Sequence, residues 1–277
     1  METTVSPSTA TFNASKLRRT VLEMAYAGST VHIACAFSII ELLAVLYRSH
    51  LRYPDNDPEH AARDFLILSK GHGVMAQYAC MLERQWLSRH DIENYFSDGS
   101  LLKGLSDSRV PGLEVTSGSL GHGFSVGVGL ALAAKLDQTG QRTFVLLGDG
   151  ELNEGTIWEA AMFAAHHQLK DLTVLIDANG FQAMGKTEEV IDLGSIESKF
   201  ISFGFETMSV DGHDEAQIHA RLEALRNSTS RAPKALVART VKGRGVSFME
   251  HDNRWHYTRL DAESYARAIQ QLSEGKA

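Results

Sequence analysis

Two apolar runs in this chain end in the same way. Phe144-Val145-Leu146-Leu147-Gly148-Asp149-Gly150 and Leu172-Thr173-Val174-Leu175-Ile176-Asp177-Ala178-Asn179-Gly180 each pass into a small-residue turn carrying one hard oxygen ligand, Asp149 in the first and Asn179 in the second. Continuous apolar runs of this kind read as strands buried on both faces, which implies a parallel sheet covered by helices. In such a sheet the carboxyl ends of neighbouring strands open together on the crevice where ligands bind. Two oxygen ligands at that edge suit Mg2+, which keeps positions open for water and diphosphate oxygens. The segment 151–167 between them reads as a helix whose start can offer free N–H groups to phosphate.

The rest of the chain repeats the alternation. Spacing of Leu17, Val21 and Met24 predicts a helix over 16–27 with Asn13 or Ser15 as N-cap, and a second helix is expected at 38–48. A short strand at 64–68 delivers Ser69-Lys70-Gly71-His72 to its carboxyl end, and helices follow at 74–86 and 91–96. Residues 98–117 read as loop, then a glycine-rich turn from Gly118 leads into a helix over 126–136. Beyond the two ligand-bearing strands come a long loop at 180–193, a helix at 195–203, a strand at 206–210, a helix at 215–227, a strand at 234–240 and a terminal helix at 261–272. This order predicts an α/β fold, a doubly wound parallel sheet with helices on both faces. One domain over 16–277 is expected, preceded by a poorly ordered Ser/Thr-rich tail at 1–15.

With 277 residues and 43% hydrophobic content, the chain can bury a large core. Its net charge of −7 and scattered basic residues argue against a nucleic-acid surface. Cys35 and Cys80 form neither a disulfide framework nor a zinc motif, which favours a reducing compartment. No secretory signal is visible at the start, so a cytoplasmic location is the expectation. The longest apolar stretch, 31–47, contains His32, Ser38 and Glu41 and falls short of the roughly 20 residues a membrane span needs.

Gly148-Asp149-Gly150 followed after about thirty residues by Asn179 resembles the thiamine diphosphate motif. Gly148-Asp149-Gly150-Glu151-Leu152-Asn153-Glu154-Gly155, Ser69-Lys70-Gly71-His72-Gly73 and Gly118-Ser119-Leu120-Gly121-His122-Gly123 together resemble the transketolase family. The resemblance runs from about Lys16 to His256. A transketolase also has a pyrimidine-binding and a C-terminal domain, for which no sequence remains here, so the chain is similar to the N-terminal subunit of a split transketolase. Carried over by resemblance, Asp149 and Asn179 are ligands of Mg2+, and Phe181 adds a backbone carbonyl. His72 lies near the diphosphate and substrate, and His32 and His256 handle sugar hydroxyls as active-site histidines that move protons near neutrality. Gly121 and Gly150 pass close to the cofactor beside Gly148 and His122, and Glu154 and Glu159 lie between subunits.

Three departures from the family pattern stand out. Val31 and Ile33 flank His32 where the family has Gly-His-Pro, and Tyr257 follows Trp255-His256 in place of Gly. The third is Leu102-Lys103-Gly104-Leu105-Ser106-Asp107, with no histidine where a second Gly-His-Pro contacts the donor's terminal hydroxyl. The expected donor preference is therefore displaced from xylulose 5-phosphate, with His122, in place of the more common Gln, supplying a substitute hydrogen bond. Gly121-His122-Gly123-Phe124-Ser125-Val126-Gly127 could pass for a dinucleotide loop, but it follows no clear strand and lacks the acidic partner downstream.

The resemblance implies transfer of a two-carbon ketol unit from a ketose to an aldose, with thiamine diphosphate and Mg2+ as cofactors. It also implies a partner, the C-terminal transketolase subunit, in an α2β2 complex, with sugar or sugar phosphate substrates and no nucleic acid or membrane. Two alternatives remain open: the alpha subunit of thiamine-dependent 2-oxo acid dehydrogenases, and a cofactor-binding paralogue without turnover.

Overall fold

The computed structural model describes residues 10–28 and 30–274. Its centre is a five-stranded, wholly parallel sheet in the order Phe65–Leu68, Thr143–Gly148, Leu172–Ala178, Lys234–Arg239, Glu206–Asp211. Every residue of Thr143–Gly148 is buried, as an interior parallel strand requires. Alternate side chains face opposite ways along a strand. Leu66, Leu68, Phe144, Leu146, Leu175 and Leu236 accordingly pack beneath the helices Ala14–Ala27, Ile40–Val45, Val74–Glu83, Glu215–Arg226 and Ala262–Ser273. Ile67, Val145, Leu147, Val174, Ile176 and Val237 pack beneath His122–Leu136, Gly155–His166 and Ile196–Ser202. The doubly wound sheet read from the alternation is thus the observed fold.

Local signals set several boundaries. Asn13 caps the first helix, its Oδ1 accepting the Lys16 N–H at 3.0 Å, and Ser88 forms a reciprocal capping box with Asp91. Of the expected tail, residues 1–9 lie outside the described residues, whereas Phe12 is buried in the core and Ala14 begins a helix. The helix expected at 38–48 is broken and starts earlier. Ile33–Phe37 forms one turn and a half, the chain relaxes at Ser38, Ile40–Val45 follows, and a wide π-type turn closes it at Leu46–His50. The break has a tertiary cause: Ser38 Oγ donates to the Cys35 carbonyl at 3.1 Å and to the Asp177 carboxylate at 2.7 Å. Within the loop expected at 180–193 the structure contains a small hairpin, Phe181–Gln182 with Gly185–Lys186, and a helical turn at Thr187–Val190.

A second short pairing, Thr30–Val31 antiparallel to Thr258–Arg259, joins two distant stretches of chain beside the carboxyl edge of the sheet. Cys35 and Cys80 are free and buried, and among the described residues no helix is long and apolar enough to cross a membrane.

The glycines of helix His122–Leu136 separate into two kinds. A Cβ at Gly127 would lie 2.4 Å from Val145 Cγ2, whereas one at Gly129 would meet nothing within 4 Å. Gly127 therefore sets how closely the helix approaches the sheet. We expect Gly127→Val to lower unfolding free energy by about 2–3 kcal/mol through overpacking, while Gly129→Ala leaves it unchanged or raises it by up to about 1 kcal/mol through helix propensity. Denaturant melts of both variants check this, and equal behaviour would refute the close-approach argument.

Candidate active site at the carboxyl edge of the sheet

The charged groups gather where the strands end. Leu68 passes to Ser69 and Lys70, Gly148 to Asp149, Ala178 to Asn179, and Arg239 to Thr240, Val241 and Lys242. Asp177, one residue before its strand ends, is fully buried, and its carboxylate accepts hydrogen bonds from Lys70 Nζ, Thr240 Oγ1, Ser38 Oγ and Asn179 Nδ2. Burial opposes ionisation of both Asp177 and Lys70, but each compensates the other. Lys70 and the surrounding donors hold the Asp177 carboxyl below the usual range, and Asp177 raises Lys70 above its ordinary value.

Asp149 sits beside this cluster with 4% of its surface exposed. Its carboxylate accepts the N–H groups of Gly150 at 2.8 Å and Gly180 at 2.6 Å. Burial and the neighbouring Asp177 charge nevertheless push it up to about 6. It is thus a buried anion without a sufficient cation, which is the electrostatic condition a divalent ion relieves. Asn179 gives its Nδ2 to Asp177 and its Oδ1 receives the Phe181 N–H at 3.0 Å, so the amide oxygen is oriented from two sides. No group of three His, Cys, Asp or Glu among the described residues could hold a metal. The set on offer is one carboxylate, one amide oxygen and a backbone carbonyl, which fits Mg2+ completed by diphosphate and water oxygens and does not fit a transition metal.

Glu151, 2% exposed, ties the nearby turns together. Its carboxylate accepts the N–H groups of Gly121 at 2.8 Å and Gly148 at 3.1 Å and the hydroxyl of Ser69 at 2.5 Å. Gly121 has φ of 86°, and a Cβ there would lie 2.5 Å from Thr156 Cγ2, so this turn needs glycine on both conformational and steric grounds.

Above these turns lies a cavity of about 630 Å3 whose wall includes Lys70, Asp149, Asn179, Phe181 and three histidines, His32, His72 and His256. The pairing of Thr30–Val31 with Thr258–Arg259 brings His32 beside His256, with ring centroids 5.2 Å apart. His72 reaches them from the turn after Leu68, 5.1 Å from His32 and 5.8 Å from His256. The expectation that these rings titrate near neutrality is corrected. Burial, then the Lys242 and Lys70 charges, bring His32 down to about 4. Burial with Lys242, the His32 ring and Lys70 brings His256 to about 3, and His72 is lowered well below its usual value chiefly by burial and Lys70. All three are neutral imidazoles at physiological pH.

Of the residues singled out in the sequence, His32, His72, Gly148, Asp149, Gly150, Glu154, Asn179, Phe181 and His256 border this one cavity. His122 does not. It is exposed at the first position of its helix, its Nδ1 lies 3.4 Å from the Leu120 carbonyl, and it is absent from the cavity wall. Glu154 and Glu159 are exposed. Val126 on helix His122–Leu136, and Met162 and Phe163 on the same helix as Glu159, are exposed as well. Leu105 lines the cavity and also a second recess of about 280 Å3, which it shares with Val31, His32, Phe96, Lys103, Gly104 and Tyr257.

Sequence reasoning assigned no role to Lys70, Glu151, Asp177 or Lys242. Three of them stand inside the motifs named above, and a charged residue within or directly after a buried strand was the available signal. For Lys242 nothing local marks it out.

The family model for the transketolase thiamine diphosphate binding domain matches residues 11–274 of the chain. One of the subunits of the apulose-4-phosphate transketolase of Phocaeicola vulgatus is 38% identical over 94% of this chain and 92% of its own. The 6-deoxy-6-sulfo-D-fructose transketolase subunit SqwG of a Clostridium species is 34% identical over 94% of this chain and 95% of its own. Among solved structures, the transketolase of Leishmania mexicana superposes with a TM-score of 0.86 at 28% identity. The match covers 94% of this chain, which spans 40% of that protein's length.

The Asp177 cluster makes a measurable claim. Lys70→Met leaves a buried carboxylate without its cation and should cost about 3–5 kcal/mol, whereas Ser38→Ala removes one charge-assisted hydrogen bond and should cost about 1.5–3 kcal/mol. The folded pKa of Asp177 is lowered, so its contribution is complete above the unfolded value and fades as pH falls. That of Lys70 is raised, so its contribution is complete below the unfolded value and fades as pH rises. The deficit of Lys70→Met should therefore be largest between neutrality and about pH 10, and shrink as Asp177 is protonated on the acid side or Lys70 loses its proton on the alkaline side. Denaturant melts across pH read this, and a deficit no larger than that of Ser38→Ala would show that Asp177 does not depend on Lys70.

Proposed function

The chain belongs to the transketolase family through its thiamine diphosphate binding domain, and from that premise we propose that it is the diphosphate-holding subunit of a two-chain transketolase. It would move a two-carbon ketol unit from a ketose or ketose phosphate to an aldose or aldose phosphate. One observation carries this reading: Asp149 and Asn179, at the ends of adjacent parallel strands, open into the same cavity as His32, His72 and His256.

In this reading the Asp149 carboxylate, the Asn179 amide oxygen and the Phe181 carbonyl would hold Mg2+, and the ion would supply the positive charge that the diphosphate needs. Thiamine diphosphate, when bound, supplies a thiazolium that accepts the electron pair released as the ketose carbon bond breaks. Everything else asked of this chain is binding and proton handling. His32, His72 and His256 are held neutral by burial and by two nearby ammonium groups, so each ring carries one N–H donor and one lone pair with which to meet the sugar or a neighbouring side chain. An imidazolium formed there would be unfavourable beside Lys70 and Lys242, so a proton accepted from a hydroxyl would be passed on quickly. His32 and His72 can then serve as relays, and all three histidines as hydrogen-bond partners, rather than as proton stores.

The pyrimidine pocket and its activating glutamate would come from a second polypeptide. The Phocaeicola relative, similar to this chain over nearly its whole length, is named as one subunit of its transketolase, which is consistent with that division. Exposed Glu154 and Glu159, with Val126, Met162 and Phe163, form a mixed acidic and apolar face suited to that association and to an α2β2 assembly. The chain alone, with thiamine diphosphate and Mg2+, should show no ketol transfer, and adding the partner should restore it. In the restored complex Asp149→Ala should weaken cofactor binding tenfold or more, about 1.4 kcal/mol per tenfold. Wild-type affinity should itself fall as pH drops below about 6, because protonated Asp149 is a poor ligand. Full activity without a partner, or an unchanged cofactor titration for Asp149→Ala, would sink the reading.

The donor follows from Leu105. The Phocaeicola and Clostridium relatives are named for different ketoses, so likeness alone gives no donor. In this chain the recess beside His32 is walled by Leu105, Val31, Phe96 and Tyr257, and His122 lies outside the cavity wall. A terminal hydroxyl lodged there would meet the Leu105 side chain where the family pattern has a histidine. We expect xylulose 5-phosphate to be a poor donor, and Leu105→His to improve its kcat/KM relative to the best donor by about tenfold, the worth of one hydrogen bond. Donor kcat/KM measured across several ketoses decides it; xylulose 5-phosphate as best donor, with Leu105→His lowering all donors alike, would overturn the assignment.

A further inference from the structure

Lys242 is fully buried, yet no carboxylate lies against its ammonium group among the ion pairs of the described residues. Its backbone is clamped from several directions. The neighbouring Val241 N–H donates to His213 Nε2 at 2.8 Å, Gly243 N–H to the Ala34 carbonyl at 3.1 Å, and Arg18 Nε to the Arg244 carbonyl at 2.8 Å. His213 and Arg18 are fixed in turn by the buried Glu41, whose carboxylate lies 3.0 Å from His213 Nδ1 and accepts Arg18 at 2.7 and 2.9 Å. The fold thus holds one lysine in place without giving it a countercharge.

Two acceptors face that ammonium: Asn253 Oδ1 at 2.7 Å and His256 Nδ1 at 2.8 Å. The Asn253 amide is oriented independently, because its Nδ2 donates to the Ala183 carbonyl at 2.9 Å. An ammonium group has only donors, so the ring nitrogen it contacts must present a lone pair. Of the two bases in contact, the amine is intrinsically stronger than imidazole by about 4 pK units and keeps the proton. The second neighbour of Nδ1, Cys35 Sγ at 3.5 Å, also has a hydrogen to donate. Among the described residues the only acceptor at Nδ1 is that thiol sulfur, a weak one that does not compete with the ammonium. In a neutral ring the single N–H is then on Nε2.

We propose that Lys242 is a positioning residue that fixes His256 as the Nε2–H tautomer, so that His256 acts on the sugar as an obligate hydrogen-bond donor and not as a base. The substrate half of this statement rests on the transketolase reading; the tautomer half does not. A fixed donor suits an oxygen that gains negative charge as a carbon–carbon bond is made or broken, since it requires no reorientation at that moment. It also divides the work among the histidines, because among the described residues no lysine is hydrogen-bonded to a ring nitrogen of His32 or His72, whose lone pairs are left for the sugar.

The test begins on the full chain, labelled with 15N-histidine, with the His256 signals assigned by their loss in His256→Gln. Long-range 1H–15N correlation should show an unprotonated Nδ1 and a protonated Nε2, unchanged from pH 6 to pH 8. Lys242→Met, which keeps length but removes the donor, should shift His256 to a mixture of tautomers, and Lys242→Arg should restore the wild-type pattern at least in part. With the partner added, Lys242→Met should lower kcat tenfold or more with a smaller change in KM, and Lys242→Arg should recover part of the loss. A protonated Nδ1 in the unsubstituted chain overturns the proposal without any variant, and so does an unchanged tautomer in Lys242→Met. An inactive complex whose chain shows the expected tautomer would instead count against the transketolase reading alone.

Discussion

A single buried carboxylate organises the carboxyl edge of this sheet. Asp177 draws in Lys70 from the first strand's exit, Ser38 from the broken helix, Thr240 from the last strand's exit and Asn179 from its own. None of these contacts is local in sequence except the last. An unpaired charge at this depth would cost several kcal/mol, so the elements that supply the donors are held to one arrangement. The helix break at Ser38 follows from this demand: the hydroxyl reaches Asp177 only if the helix yields there. The same arrangement orients the Asn179 amide and sets Asp149 next to a negative neighbour, which with burial as the larger cause raises it to about 6 and leaves it in want of a cation. The candidate metal site is in this sense a by-product of the structural one.

Much of this was legible in the chain itself. The apolar runs ending at Asp149 and Asn179 declared a parallel sheet and its ligand edge, because burial on both faces leaves no room for polar alternation. His32, His72 and His256 could be named but not joined, since it takes the pairing of Thr30–Val31 with Thr258–Arg259 to bring residues so distant in sequence into one wall. Their protonation state is hidden for the same reason: burial lowers them first, and the ammonium groups that add to it come from Lys70 and Lys242, where a lysine in sequence reads as a solvated surface charge. His122 was misjudged in the other direction. A helix-start histidine between glycines looks close to a ligand, yet its side chain turns outward while the backbone of Gly121 and Gly123 does the packing.

Two lysines with different environments then divide the electrostatic labour. Lys70 is neutralised by Asp177 and serves mainly to hold the turn after Leu68, with His72 two residues on. Lys242 has no such partner, and burial lowers its affinity for a proton. Its uncompensated charge faces neutral acceptors and lies 5.6 Å from the Phe181 ring, where the aromatic face provides some compensation. Together they place positive charge beside a cavity whose own carboxylate, Asp149, is available to a divalent ion.

That distribution explains why the histidines can be crowded together. Three rings within 6 Å of one another would repel if any two carried charge, and burial together with the two lysines ensures that none does near neutrality. Neutral imidazoles can then be specialised by whatever touches their second nitrogen, a degree of control that a cationic ring, with both nitrogens protonated, does not offer. The Arg18–Glu41–His213 clamp beneath Val241 has a role on the same scale. By fixing the backbone on either side of Lys242 it converts a flexible side chain into a directed donor, and the cost of burying that ammonium is carried by a network well outside the cavity. The chemistry of the site is thus decided partly by residues that never border it.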